Sequence, residues 1–176
     1  MAGLSPNSPL PTAAPRVVVG VSDMVVSDTP HLTLSTYALG SCVGVVAYDA
    51  GAHIGGMLHF MLPESALVPG KGATHPAMFA DTGMDLLCRS LVDARADPHR
   101  LRFLIAGGAS MLGGQDSFKI GTRNVRAALG FFAHHGFPAP QSIVGGQLNR
   151  TLHLDINTGV VLLKSPNLNE SYSLAQ

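Results

Sequence analysis

The chain has 176 residues, 46% of them hydrophobic and only 12% charged, with eleven Lys and Arg balancing eleven Asp and Glu. That length builds one domain with a sizeable core. A zero net charge without a Lys/Arg run argues against nucleic acid and against anionic membrane as partners.

The first fifteen residues, "MAGLSPNSPLPTAAP", carry four prolines and no basic residue, so 1–15 is expected to be a disordered Pro-rich arm rather than a secretory signal. "RVVVGV" and "MVVSD" read as strands on β-branched content, and "HLTLST" alternates. "CVGVVAYD" and "IGGMLHFML", separated by "AGAH", predict a hairpin; residues 63–74 are a Gly/Pro-rich loop. Two stretches then switch to helical spacing. In "PAMFADTGMDLLCRSLVDAR" the stripe is Phe79, Gly83, Leu86/Leu87, Ser90/Leu91 and Ala94; in "GTRNVRAALGFFAHHG" it is Val125, Ala128, Leu129 and Phe132, with Thr122 as N-cap and Gly136 as stop. Between them "RFLIAGG" predicts a buried strand. After them "TLHLDI" turns at "NTG" into "VVLLK", a second hairpin. The expected organisation is a single domain over 16–164 with a polar tail over 165–176. Its class is α/β, with mixed, hairpin-rich sheets packed with two main helices. No apolar run is long enough for a membrane helix.

Eight histidines show no HExxH or CxxC-type spacing, so no metal and no cofactor is assigned. "PGKGAT" and "AGGASMLGG" lack the spacing of phosphate loops and read as turns. Neither cysteine, Cys42 nor Cys88, lies in a CxxC pair, which argues against a disulfide framework and fits a reducing cytoplasm. "GSCVG" has the outline of a nucleophile elbow, but the β-branched run after it predicts a strand where an elbow needs a helix. A nucleophile needs only a base within reach. If the hairpin turn centres between Ala50 and Gly51, Cys42 stands opposite His59 with Cβ atoms about 5 Å apart; a slip of one residue would place them on opposite faces. The alternative is a buried strand cysteine and a histidine tied to a carbonyl. Thr36 could orient the imidazole through its hydroxyl, or be an ordinary strand residue. In the catalytic reading, an imidazolium at His59 would depress the Cys42 pKa.

"LGSCVGVVAYD", "GGMLHFMLPES", "AGGASM", "IGTRNV" and "VGGQLNRTLHLDINTG", in this order, resemble the CheD family of chemoreceptor glutamine deamidases over about 16–164. The resemblance implies a layered α/β sandwich similar to deamidating bacterial toxins. It puts the family's nucleophile at Cys42, its histidine at His59 and its threonine at Thr36. The implied reaction is hydrolysis of receptor glutamine amides to glutamate, with backbone N–H groups near Ser41 and Cys42 as oxyanion-hole candidates. The implied partners are chemoreceptor cytoplasmic domains as substrate and a CheC-like phosphatase. Two departures, Ala106 for an aromatic and Asn149 for a glycine, touch packing or substrate surface rather than chemistry. Two other classes stay open: a non-catalytic adaptation module, and a small-molecule amidase.

Overall fold

The computed structural model describes residues 14–110 and 117–176. Most of the expected arm lies outside them, as does the end of the glycine-rich "AGGASMLGG" stretch.

Ten strands form two mixed five-stranded sheets. The first, in spatial order, is β1 (Arg16–Val18), β3 (Thr33–Leu39), β8 (Arg150–Asp155), β9 (Val160–Ser165) and β10 (Leu168–Ser173). The second is β2 (Asp23–Ser27), β5 (Ile54–Phe60), β4 (Val43–Asp49), β6 (Arg102–Gly107) and β7 (Gln141–Val144). β1 runs parallel to β3 and β7 to β6; every other pair is antiparallel.

The second sheet lies between two cores. Val43, Val45, Ala47, Leu58 and Phe60 face α2 (Ala80–Asp93) and α3 (Ile120–His135), where Met84, Leu87, Leu91, Ala128 and Phe132 meet them. Val46, Tyr48, Met57 and Leu104 face the first sheet, against Leu34, Leu39, Leu152, Leu154, Val161 and Leu163. Every residue of β4 and β5 is therefore buried, which explains why both read as unbroken apolar runs. The architecture is mixed α/β in three layers, helix on sheet on sheet.

Several elements differ in detail from the sequence pattern. The turn between β4 and β5 spans Ala50–His53, with His53 at φ +54°, and pairs Gly44 with His59 and Asp49 with Ile54. The expected register, with Cys42 facing His59, is thus displaced by two residues. Because the displacement is even, both side chains stay on one face. Thr122 does not cap α3: the helix begins at Ile120 behind Lys119, whose φ is +48°, while Gly136 ends it at φ +68° as expected. Leu129 is 40% exposed, and Asn124 takes a place in the buried stripe instead. The 63–74 loop contains a 3-10 turn (Ser65–Leu67) and a short helix α1 (Lys71–Thr74); the Asp81 carboxylate accepts from the Ser65 N–H and hydroxyl. The polar segment after Lys164 pairs with β9 as β10. Among the described residues no helix is long and apolar enough to cross a membrane.

At the turn end of β4, Asp49 has no solvent exposure and accepts from the Gly51, Ala52 and Asp97 N–H groups and from Arg100 at 2.8 and 2.9 Å. Burial pushes its carboxyl up, but the Arg100 guanidinium and the three amides outweigh this and hold the pKa at about 2. This knot closes the hairpin at the end remote from Cys42.

Candidate active site

The chain crosses from the first sheet to the second between Thr36 and Cys42. β3 spends three steps from Thr36 to Leu39 where β8 spends two, from Leu152 to Arg150, so a bulge turns the strand. Ala38 in that bulge has φ +57°, and Gly40 N–H donates back to Ala38 O. Three residues, Gly40, Ser41 and Cys42, then lead into β4.

The sequence places Cys42, His59 and Thr36 far apart; the sandwich brings them to one end of its interior. Thr36 and His59 are both fully buried, on facing sheets. Thr36 Oγ1 lies 2.8 Å from Val19 O and 2.7 Å from His59 Nδ1. A carbonyl can only accept, so the single hydroxyl proton goes to Val19, and Oγ1 must accept from Nδ1–H. The tautomer is thereby fixed, and Nε2 keeps its lone pair. That Nε2 is buried and has no hydrogen-bond partner among the described residues. Gly44, opposite His59 in the ladder, leaves little room for a side chain: a Cβ there would stand 2.9 Å from Leu39 and 3.0 Å from Leu152. Cys42, two residues before it on the same face, is half-buried against the inter-sheet core, with its thiol free.

The electrostatics correct one expectation. Burial pulls the His59 pKa down to about 4, and burial raises the Cys42 thiol, opposed by its own backbone N–H. The resting pair is neutral thiol and neutral imidazole, not thiolate and imidazolium. An imidazolium without solvent has only the Thr36 hydroxyl beside it, and a hydroxyl does not offset the loss of hydration as a carboxylate would.

The turn that carries Cys42 is held from behind. Gly108 N–H donates to Cys42 O and Ala109 N–H to Gly40 O, both at 2.8 Å. Between them the fully buried Asn124 Nδ2 donates to Ser41 O at 2.9 Å and to Met61 O at 3.0 Å. Gly107, at φ +110°, lies so close to Cys42 O that no Cβ fits. The N–H groups of Ser41 and Cys42 have no acceptor on another described residue. These supports belong to the "AGG" and "IGTRN" segments. Sequence reasoning counted those segments toward the resemblance without giving them a task; the one available signal was a polar Asn at stripe spacing, after Gly121 and before Ala128. The departures fall where expected: Ala106 is buried between the sheets, and Asn149 is exposed. Among the described residues no group of three His, Cys, Asp or Glu could hold a metal.

The chain is similar to known proteins along most of its length. The family described as CheD chemotactic sensory transduction matches residues 61–165, a span that begins just after His59. A protein of Solibacter usitatus named probable chemoreceptor glutamine deamidase CheD is 43% identical over 149 residues, covering 85% of this chain and 88% of its own. Similarly named proteins of Syntrophus aciditrophicus and Thermococcus kodakarensis are 41% and 37% identical, over 93% and 92% of their lengths and 85% of this chain. A solved structure, Bacillus licheniformis hypothetical protein YfiH, matches 70% of this chain and 49% of its own at 18% identity; its TM-score of 0.38 bears no weight. On the family match, and on identity of this extent along nearly the whole of its relatives, the chain belongs to the CheD family.

Proposed function

We propose that this chain is a protein-glutamine deamidase that hydrolyses glutamine side-chain amides of chemoreceptors to glutamate and ammonia, with Cys42 as nucleophile, His59 as acid–base and Thr36 as the residue that orients the imidazole. One observation carries the reading: His59 Nδ1–H is committed to Thr36, which leaves a bare, buried Nε2 on the face that Cys42 shares. The names of the relatives supply the substrate class.

The steps follow from that arrangement. As Cys42 Sγ attacks the amide carbon, its proton passes to Nε2, and the carbonyl oxygen becomes an oxyanion. The Ser41 and Cys42 N–H groups, lacking another acceptor, receive that charge. His59 returns the proton to the departing nitrogen, releasing ammonia and leaving a thioester on Cys42. Water then gives a proton to Nε2, adds to the thioester carbon, and expels the thiol, which recovers that proton. The product is the glutamate side chain. His59 carries a positive charge only between steps, and Thr36 Oγ1 accepts from its Nδ1–H throughout.

Peptide mass spectrometry of a chemoreceptor co-expressed with the chain tests this reading. Glutamine-to-glutamate conversion is expected with the native chain and not with folded Cys42→Ala. Loss of His59 removes both base and acid, whereas loss of Thr36 only frees the ring, so His59→Ala is expected to lose more rate than Thr36→Ala. Conversion by Cys42→Ala at the native rate overturns the nucleophile assignment.

A further inference from the structure

We infer that Asn124 is a positioning residue for the oxyanion-binding turn: it holds the Ser41–Cys42 peptide so that the Cys42 N–H faces the carbonyl oxygen that becomes the oxyanion. The inference rests on the deamidase reading above and adds a residue to it.

In a trans peptide the C=O of one residue and the N–H of the next point in opposite directions. Whatever holds the Ser41 carbonyl therefore aims the Cys42 N–H, and whatever holds the Gly40 carbonyl aims the Ser41 N–H. The second task falls to the backbone, Ala109 N–H at 2.8 Å. The first falls to a side chain, Asn124 Nδ2 at 2.9 Å. The same nitrogen donates its other proton to Met61 O, two residues beyond His59. One amide group thus ties the nucleophile turn to the strand that carries the base.

The chemistry of the position selects asparagine. Two carbonyls must be met by one buried group, which calls for two protons on one nitrogen and no charge. Lysine and arginine would bring a buried cation, serine and threonine only one proton, and aspartate none. The reach is set by Gly121, one turn earlier, where a Cβ would stand 2.6 Å from the Gly108 and Ala109 carbonyls. Its absence lets the start of α3 lie against the end of β6. Asn124 Oδ1 is buried and has no partner among the described residues, so the side chain is tied to them by its donors alone. An orphan acceptor lowers stability, and its retention fits a group kept for what its nitrogen does.

The test compares Asn124→Ala and Asn124→Asp with Asp49→Asn, which removes buried hydrogen bonds at the far end of β4. Rates are measured on a receptor fragment at a temperature where circular dichroism shows all of them folded. The two Asn124 variants are expected to lose kcat by on the order of 10²-fold with KM unchanged, and Asp49→Asn to keep both. Cys42 in Asn124→Ala is expected to alkylate with iodoacetamide several-fold faster than in the native chain, because a loosened turn exposes the thiol. A more reactive thiol in a slower enzyme separates lost alignment from lost folding. A folded Asn124→Ala with native kcat, a loss confined to KM, or an equal loss in Asp49→Asn overturns the inference. If the native chain itself forms no glutamate, the deamidase reading fails instead; an alkylation rate unchanged by Asn124→Ala then removes the positioning role on its own evidence.

Discussion

The buried neutral imidazole makes the fold sensitive to mild acid, and the effect can be sized. His59 has an ordinary pKa of 6.5 in the unfolded chain and about 4 in the folded one, lowered by burial. Below pH 6.5 the unfolded chain takes up a proton that the folded chain refuses. The contribution is therefore fully present above the unfolded value and is lost as pH falls toward the folded one. The full separation is worth about 3 kcal/mol, and about 2 kcal/mol of it falls between pH 7 and pH 5. For a chain of this length that is a fall in Tm of about 4–8 °C. Asp49, with its pKa near 2, adds almost nothing in this window. The assay is thermal melting by circular dichroism between pH 7 and 5 for the native chain and for His59→Gln, whose amide keeps a donor for Thr36 without titrating. The native Tm is expected to fall and most of the fall to vanish in the variant. A smaller slope will remain from His153, whose pKa is also lowered, by burial first and then by Arg16 and Lys164. An equal fall in both proteins would refute the claim that His59 stays neutral in the fold.

Three other outcomes are expected. The Asp49 carboxylate stabilises the fold above pH 4 and loses that contribution toward pH 2; because the Arg100 side chain is 49% exposed and screened, about 1–2 kcal/mol is at stake, read from acid melts of native and Asp49→Asn protein. Gly107→Ala places a Cβ against Cys42 O at a φ that L residues rarely adopt; a loss of at least about 2 kcal/mol in urea unfolding, together with loss of deamidation, is expected. In alkylation time courses at pH 8 Cys42 reacts before Cys88, whose pKa is pushed up to about 11 by burial and by Asp85; Cys88 reacting first would contradict the exposure and charge assigned to both.

How much of this was legible in the sequence depended on what each feature required. That Cys42 and His59 share a face could be seen because a hairpin preserves side-chain parity, so even a register displaced by two, with Gly44 opposite His59, kept them on one face. The displacement itself was not legible: His53 enters the turn in a left-handed conformation that nothing in "AGAH" announces. Thr36 could be offered from the residues as an orienting hydroxyl, but only the family resemblance singled it out, since its partner Val19 lies on a segment with no motif. The charge state of the pair depends on His59 having no solvent exposure, a property of the packed sandwich rather than of the strand. Asn124 was hidden because a polar residue inside a helical stripe reads as a gap in the pattern. β7 and β10 are short, largely exposed edge strands; with one face of each open to water, they carry little of the apolar alternation by which strands are recognised.

The two cores of this protein differ in how far they could drift in evolution or be redesigned. The core between helices and sheet touches no member of the candidate triad and reaches the Ser41–Cys42 turn only through Asn124 on α3, so aliphatic residues away from that asparagine could be exchanged for others of equal volume with an effect mainly on stability. The core between the sheets is a seam across the candidate site: Cys42 and His59 stand on one side, Thr36 on the other, and the Thr36–His59 hydrogen bond spans the gap. A methyl group gained at Gly44 or lost at Leu152 would change the spacing of that seam, and with it the proton transfer. A lineage adapting to heat is thus free to repack the helix side of its central sheet away from Asn124, and on the other side must change residues in compensating pairs.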